Sequence, residues 1–477
     1  MATRVVIIGA GPGGYVAAVR AAQMGTEVTV VEQDKVGGTC LNWGCIPSKI
    51  MARCAEITDL VKDAGHWGIG IEASRAPDLE ALARRERTVI QGQAEGIMKL
   101  FKRHGISYAV GRGYIQDSGL VTVYGEDGEN QEIPWDSLIL ATGSRPMELP
   151  RIPFDGKRVI SSNEALFLQE VPKSVLIIGA GAIGCEFAFI FSAMGSAVTL
   201  VEILPNILPI PSVDDECRKV IQREMKKRKI QFLLGNEVKG LEDRGEKLRV
   251  TIGPSHGKSK TRSRKDEGRT LEVERVLVCI GRAPNSAHLG LENLGVKTDA
   301  RGWIIANDRM ETNVPGVYAI GDLLGPSKVM LAHVASAEGR VAAENCAGGS
   351  NFMKYDVIPH VIFTRPEVAC VGLTEKQALE MGIDIDTRTV LFRSLGKAHV
   401  TGEISGLAKV LWDTESKRIL GLHLVGPQAG DLIAEATLAL RKGLTLRDLA
   451  DTIHAHPTFS EIMAELAFKA LGRPVHA

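Results

Sequence analysis

The sequence predicts an α/β fold: two three-layer units, each built on a parallel sheet, followed by a C-terminal α+β unit. Three observations carry this reading. A strand, glycine-rich turn, helix and second strand open the chain and recur near residue 174. The length of 477 residues gives room for about three domains with their own cores. After about residue 347, alternating strand patterns mix with amphipathic helices and no glycine turn follows.

In the first unit, Val5 to Ile8 reads as a short buried strand, "GAGPGG" as the turn, "YVAAVRAAQMG" as a helix and "TEVTVVE" as a strand ending in Glu32. Gly9 permits the tight turn, Gly11 lets the backbone approach a pyrophosphate, and Gly14 allows close helix packing. The helix N-terminus supplies donors to the phosphates, and Glu32 is placed to take the ribose hydroxyls. The second unit, "VLIIGAGAIGCEFAFIFSAMGSAVTLVE", repeats this with Gly179, Gly181, Gly184 and Glu202. In both copies the acid lies 23 positions after the first glycine. One G-x-G-x-x-G is a weak signal. Two in full strand-helix-strand context, each with its acid in register, predict two Rossmann-like dinucleotide sites, and hence electron transfer between two cofactors. The second copy is apolar for longer than the ~20 residues a bilayer needs. Glu186 at its middle and the fixed glycine offsets favour a buried strand, turn and helix over a membrane span.

Glu202 also selects the nicotinamide. A carboxylate there faces the extra phosphate of NADP; at about 4 Å and an effective dielectric of about 20, one pair of unit charges repels by about 4 kcal/mol. No arginine follows in "ILPNILPIP" to accommodate that phosphate, so NAD is expected.

Lys plus Arg and Asp plus Glu both number 57, which leaves no basic field for nucleic acid or an anionic membrane. The start "MATRVVIIGAG" enters a strand at once, without a secretory or transit pattern, so a cytoplasmic, reducing compartment is expected. Eight cysteines are too sparse for a disulfide scaffold. Six of them, Cys54, Cys217 and Cys346 included, read as scattered fillers.

Cys40 and Cys45 in "GGTCLNWGCIPSK" are different. A zinc site needs further ligands at paired spacing, and Cys54 alone lies near. A redox pair fits better: Asn42, Trp43 and Gly44 can turn one cysteine back on the other, with Gly44 tolerating positive φ. "CIPSK" reads as a helix entry whose N-terminus lowers a nearby thiol's pKa. The pair follows Glu32 closely, so it is expected beside the first cofactor. A disulfide there needs a two-electron acceptor, which places FAD in the first site and NAD in the second.

The segment Gly37 to Lys49 resembles the active-site segment of the flavoprotein pyridine nucleotide-disulfide oxidoreductases. "ATGSRP", "VCIGRAPN", "ETNVPGVYAIGDL", "MLAHVASAEG", "FTRPEVACVGLTE" and "HAHPTFSEIMAE" extend the likeness over essentially the whole chain and narrow it to the dihydrolipoamide dehydrogenase branch. The resemblance implies oxidation of dihydrolipoamide through the cysteine pair and FAD, with reduction of NAD+. It implies that Cys40 meets the substrate, that Cys45 faces the flavin, and that Lys49 pairs with Glu186 beside it. Asp322 matches the carboxylate on the ribityl chain. Gly113, Ala141, Thr142, Gly143, Met330, Leu331, Ala332 and His333 match further flavin contacts, and Gly281 an NAD contact. The chain departs from common members at Trp43, Ala182 and Leu395; Ala182 bears on a gate over the nicotinamide pocket.

A thiol substrate must lose a proton before attacking a disulfide, which calls for a base near neutral pKa. Among eleven histidines, His456 stands out because Glu461, five positions on, can orient it where a loop enters a helix. His454 reads as structural. The resemblance makes His456 the base and sets this segment at the flavin of a second subunit, hence a homodimer. The expected organisation is 1–149 for the first part of the FAD-binding domain, 150–276 for the NAD-binding domain, 277–346 completing the FAD domain and 347–477 for the interface domain. "PSHGKSKTRSRKDEGR" reads as a solvated hairpin loop. No lipoyl domain is visible, so a lipoylated carrier of a 2-oxoacid dehydrogenase complex or of the glycine cleavage system is the expected partner. The rival readings are a glutathione or mercuric reductase-like enzyme and a non-catalytic NAD-sensing or assembly paralogue. No cysteine follows Cys370, against the C-terminal pair of the mercuric type, and the intact Cys40, Cys45 and His456 set argues against a non-catalytic role.

Overall fold

The computed structural model describes residues 2–71, 76–126, 128–255 and 268–476. The first sheet is parallel and five-stranded. Its strands run in the order Val317–Ala319, Ser137–Leu140, Arg4–Ile8, Glu27–Glu32, Ser107–Val110. Arg4–Ile8 is buried on both faces, which is why it reads as an unbroken apolar run rather than an alternating one. Helix α1, Pro12–Gln23, follows the glycine turn with proline in its first turn. The short α2, Gly38–Trp43, and the longer α3, Cys45–Lys62, come next and meet at Gly44.

The second sheet repeats the first in layout: Gln231–Leu234, Ala197–Glu202, Ser174–Ile178, Arg275–Val278 and Val159–Ile160, again all parallel. The segment that imitates a membrane span is a strand, helix α4 (Ala182–Met194) and a strand, with nearly all of α4 buried in the protein core. Among the described residues no helix is long and apolar enough to cross a membrane. Helix α5, Asp215–Lys227, follows with Asp214 capping its N-terminus.

The duplication runs further than the glycine motif. In each unit a three-stranded antiparallel meander, 112–134 in the first and 236–273 in the second, stands between the strand after the crossover helix and the strand that returns to the sheet centre. The expected charged hairpin falls between Leu248–Pro254 and Arg269–Val273, and residues 256–267 lie outside the described residues.

The chain returns to the first sheet with Val317–Ala319 and then helix α6, Ala332–Cys346, which lies against α1. The approach is close: a Cβ at Gly339 would fall 2.4 Å from the Gly13 carbonyl oxygen. The C-terminal unit is an antiparallel sheet in the order His360–Ile362, Glu367–Gly372, Ile419–Gly426, Leu407–Asp413, Ile385–Leu391. It shares a core with the helices Ala429–Lys442 and Glu461–Ala470.

Candidate active site

The two glycine turns superimpose in their hydrogen bonding. Gly9 N donates to Val31 O at 2.7 Å, and Gly179 N to Val201 O at 2.8 Å. Both first glycines have positive φ, +109° and +103°, and a Cβ on either would sit 2.3 Å from a carbonyl oxygen, that of Ala141 or of Cys279. A Cβ on Gly14 or Gly184 would lie 1.9 or 2.0 Å from the oxygen of its own first glycine, which is the close packing expected of the third position. Each acid closes its turn: Glu32 accepts from Ala10 N and Asp34 N, Glu202 from Ala180 N and Leu204 N, all at 2.7–3.0 Å. Burial pushes the Glu32 carboxyl upward against the pull of those N–H groups.

These turns fit a dinucleotide. Neither Gly11 nor Gly181, the N-caps of α1 and α4, offers a side-chain hydrogen bond, so the first N–H groups of both helices are free of side-chain acceptors. A Cβ at Gly181 would meet no atom within 4 Å, so the backbone there lies open to a ligand.

The cysteine segment is fastened to the first turn. Gly37 N donates to Ala10 O at 2.8 Å, and Gly38 comes so near Gly11 that a Cβ would be 2.7 Å from its α-carbon. Asn42 Nδ2 donates to Val36 O and Gly38 O, which locks α2 in place. Cys40 lies in α2, and Cys45 is the first residue of α3. Gly44 between them corrects one expectation: its φ is −144°, not positive. Glycine is needed there because a Cβ would approach Thr39 O to 2.9 Å.

The two thiols hydrogen-bond to each other and divide their protons unequally. Cys40 is raised far above the ordinary thiol value, chiefly by its bond to Cys45 and then by burial. Cys45 is lowered to about 7, first by the bond to Cys40, with Lys49 assisting against burial. Lys49 Nζ lies 2.9 Å from Glu186 Oε2 and 4.3 Å from the centre of the Phe363 ring. Glu186 Oε1 accepts from Phe363 N at 2.9 Å. One carboxylate on α4 thus ties together the cysteine helix, the second nucleotide unit and the C-terminal sheet.

Asp322 sits in a relay that the motifs did not reveal. Arg282 Nε donates to Ser144 Oγ at 2.5 Å, Ser144 Oγ donates to Asp322 Oδ2 at 2.6 Å, and the arginine lies 3.5 Å from the same oxygen. Thr142 and Gly143 are held by Asn285: Thr142 Oγ1 donates to Asn285 O, Asn285 Nδ2 to Thr142 O and Asn285 N to Gly143 O. Ala141 N donates to Ile8 O at 2.8 Å. Gly113 packs against Ile8 and Val31, where a Cβ would come within 3.1–3.3 Å. Met330 and Leu331 lead into α6, which begins at Ala332, and the His333 ring meets Pro359 O at 3.0 Å. Gly281, at φ +133°, accepts from Met147 N.

His456 Nδ1 lies 2.8 Å from Glu461 Oε1, and the imidazole is 74% exposed. Glu461 Oε2 accepts from Thr458 N. Burial raises the Glu461 carboxyl, but these bonds outweigh it and its pKa is lowered. His454 bonds to Glu435 and Thr452 O with its side chain only 6% exposed, consistent with a structural place. Among the described residues no hydrogen bond or ion pair joins His456 or Glu461 to Cys40 or Cys45 within the chain.

Residues 3–339 match the family described as pyridine nucleotide-disulphide oxidoreductase, and residues 358–467 match its dimerisation domain. A dihydrolipoyl dehydrogenase of Chlamydia muridarum is 42% identical over 473 residues, covering 99% of this chain and 97% of that one. The mitochondrial dihydrolipoyl dehydrogenase 2 of Arabidopsis thaliana is 40% identical, covering 99% and 91%. The crystal structure of LpdA from Mycobacterium tuberculosis superimposes with a TM-score of 0.89 at 26% identity, covering 98% and 99% of the two chains. The chain belongs to the pyridine nucleotide-disulphide oxidoreductase family.

Proposed function

We propose that this chain is an NAD-dependent dihydrolipoyl dehydrogenase acting as a homodimer, with FAD in the first nucleotide unit and NAD in the second. The observation that carries the reading is the unequal thiol pair: Cys45, lowered to about 7 beside the Lys49–Glu186 pair, is a ready leaving group, while Cys40 keeps its proton. Full-length likeness to dihydrolipoyl dehydrogenases supports the substrate class.

In this reading His456, oriented through Nδ1 by Glu461, takes the proton of a substrate thiol. The substrate thiolate attacks Cys40 of the Cys40–Cys45 disulfide; the bond between the two cysteines breaks and Cys45 leaves as a thiolate, held by Lys49 and the N-terminus of α3. The second substrate thiol attacks the mixed disulfide and the cyclic disulfide leaves; Cys40 departs with the proton of that thiol, and His456 keeps the first. Bound FAD supplies the two-electron acceptor that connects the dithiol to NAD+. Glu32 and the free N–H groups of α1 would hold its adenosine and pyrophosphate end, and Asp322, fixed by Ser144 and Arg282, its ribityl chain. Glu202 and α4 would hold NAD.

The dimer completes the site. Among the described residues no hydrogen bond or ion pair joins His456 to a cysteine, and Ile453, three residues before it, is 97% exposed. An aliphatic side chain so bare on the same loop supports burial against a second subunit. The substrate in the cell is then the lipoyl arm of a carrier protein, of a 2-oxoacid dehydrogenase complex or of the glycine cleavage system.

The test is NADH formation by the FAD-loaded protein with dihydrolipoamide, and then with purified lipoylated carriers. Turnover with dihydrolipoamide and NAD+, with higher kcat/KM on one carrier, is expected. Failure with dihydrolipoamide alongside brisk NADPH-driven reduction of glutathione disulfide would replace the reading.

A further inference from the structure

Cys217 and Cys370 read as isolated fillers in the sequence, 153 positions apart, yet the fold brings their side chains into hydrogen-bond contact. Cys217 lies in the first turn of α5, in the second nucleotide unit; Cys370 lies mid-strand in Glu367–Gly372 of the C-terminal sheet. They are 0% and 1% exposed.

Their surroundings are not those of filler cysteines. Cys370 is directly paired across the strands with His423, whose Nε2 meets Leu373 O at 2.9 Å; its buried Nδ1 has no hydrogen-bond partner among the described residues. The Asp214 N–H at the start of α5 also donates to the Cys370 sulfur. Asp214 in turn holds the buried Lys409 ammonium at 3.1 Å, with Glu375 at 2.6 Å on its far side. Cys185 and Cys279 show the contrast: both are pushed up simply because they are buried. Cys370 is instead pulled below the ordinary thiol value, first by the Cys217 S–H and then, against burial, by His423. Cys217 keeps the shared proton. Burial pushes His423 down, but the Cys370 sulfur and Asp214 outweigh it and the ring is raised. A thiol held below its ordinary pKa beside a helix N-terminus, with a second thiol against it, makes an oxidisable arrangement.

A cleft of about 790 Å³ between the two units has Asp214, Thr374, Glu375 and Lys409 among its walls, neighbours of the two cysteines, which do not themselves line it. We propose that Cys217 and Cys370 form a second oxidisable thiol pair, separate from Cys40 and Cys45, which a hydroperoxide converts to a disulfide joining α5 to the C-terminal sheet. The Cys370 sulfur attacks one oxygen of hydrogen peroxide; the O–O bond breaks, a sulfenic acid forms, and the leaving hydroxide takes the Cys370 proton to become water. Cys217 then attacks the Cys370 sulfur, the S–O bond breaks, and the departing hydroxide leaves as water with the Cys217 proton. Two sulfurs lose two electrons, peroxide gains them, and two waters form. Because α5 belongs to the second nucleotide unit and Cys370 to the C-terminal unit, the new bond fixes the two together.

The experiment is peptide mapping of the FAD-loaded protein after hydrogen peroxide treatment, denaturation and alkylation without reductant. A cross-linked peptide pair containing Cys217 and Cys370, removed by dithiothreitol and absent from Cys217→Ser and Cys370→Ser, is expected. It should form equally in a Cys40→Ser, Cys45→Ser double variant, which separates this pair from the proposed dihydrolipoamide chemistry. Full alkylation of both cysteines at a peroxide dose that oxidises Cys40 and Cys45 would overturn the proposal. So would recovery of Cys370 as a sulfinate with Cys217 free. The wild-type map decides the matter even where a serine variant fails to fold.

Discussion

The two nucleotide units share strand order, glycine turns, acid and meander, yet their helices face different neighbours. On α1, Gly13 lies beneath α6, and a Cβ there would come 3.1–3.2 Å from Ile320 and the Ala335 carbonyl oxygen. The matching residue on α4 is Ile183, 38% exposed. One turn further, Val16 on α1 corresponds to Glu186 on α4, and the glutamate reaches Lys49 in the cysteine helix of the first unit. The shared features suit dinucleotide binding. The divergent ones join the two units at the redox centre.

The largest effect should show that both nucleotide units work without the third. His456→Gln is expected to lower dihydrolipoamide oxidation by roughly 10²–10⁴ while NADH-driven dye reduction stays largely intact. Equal loss in both assays would remove His456 from the base role. Matched changes in the copies should then separate their cofactors. Overpacking of about 1–3 kcal/mol at Gly14→Ala should strip flavin absorbance from the purified protein. Gly184→Ala should keep it and raise the KM for NAD by roughly ten- to a hundredfold. Loss of flavin from both would mean that the units are not independent sites.

A smaller effect is expected from the acids. Glu202→Gln removes the charge that faces NADP and should narrow the preference for NADH over NADPH by roughly tenfold, out of about 4 kcal/mol of available repulsion. Glu32→Gln should leave that preference unchanged. Kinetics with both nucleotides read the difference. The smallest effect concerns protons. Lys49 holds the Cys45 pKa down and Glu186 opposes it, so the two substitutions should act with opposite sign. Lys49→Met should move the thiolate titration above about 7, and Glu186→Gln below it, as read by the pH dependence of alkylation at Cys45.

Local chemistry was legible in the sequence. The glycine turns and their acids lie within a few dozen residues of one another, and the first and third glycines of each turn answer contacts made inside their own unit. Cys40 and Cys45 were legible for the same reason, although Gly44 serves a close approach to Thr39 and not a positive φ. His456 and Glu461 lie on one loop and helix entry. Contacts between distant segments were less legible. Ser144 and Arg282 reach Asp322 from 178 and 40 positions away, and Phe363 N reaches Glu186 across 177. The meanders were hidden because short exposed strands alternate weakly. Cys217 and Cys370 carry no local pattern, since helix and sheet packing between two units is what brings them together.

The central claim is that Cys40 and Cys45 exchange electrons with NADH through the first nucleotide site. Thiol alkylation of the oxidised, FAD-loaded protein, before and after one equivalent of NADH per subunit under anaerobic conditions, tests it most directly. Both cysteines should resist alkylation before NADH and become labelled after it, with no such gain in the FAD-free protein. Labelling that is the same before and after NADH in the loaded protein would contradict it.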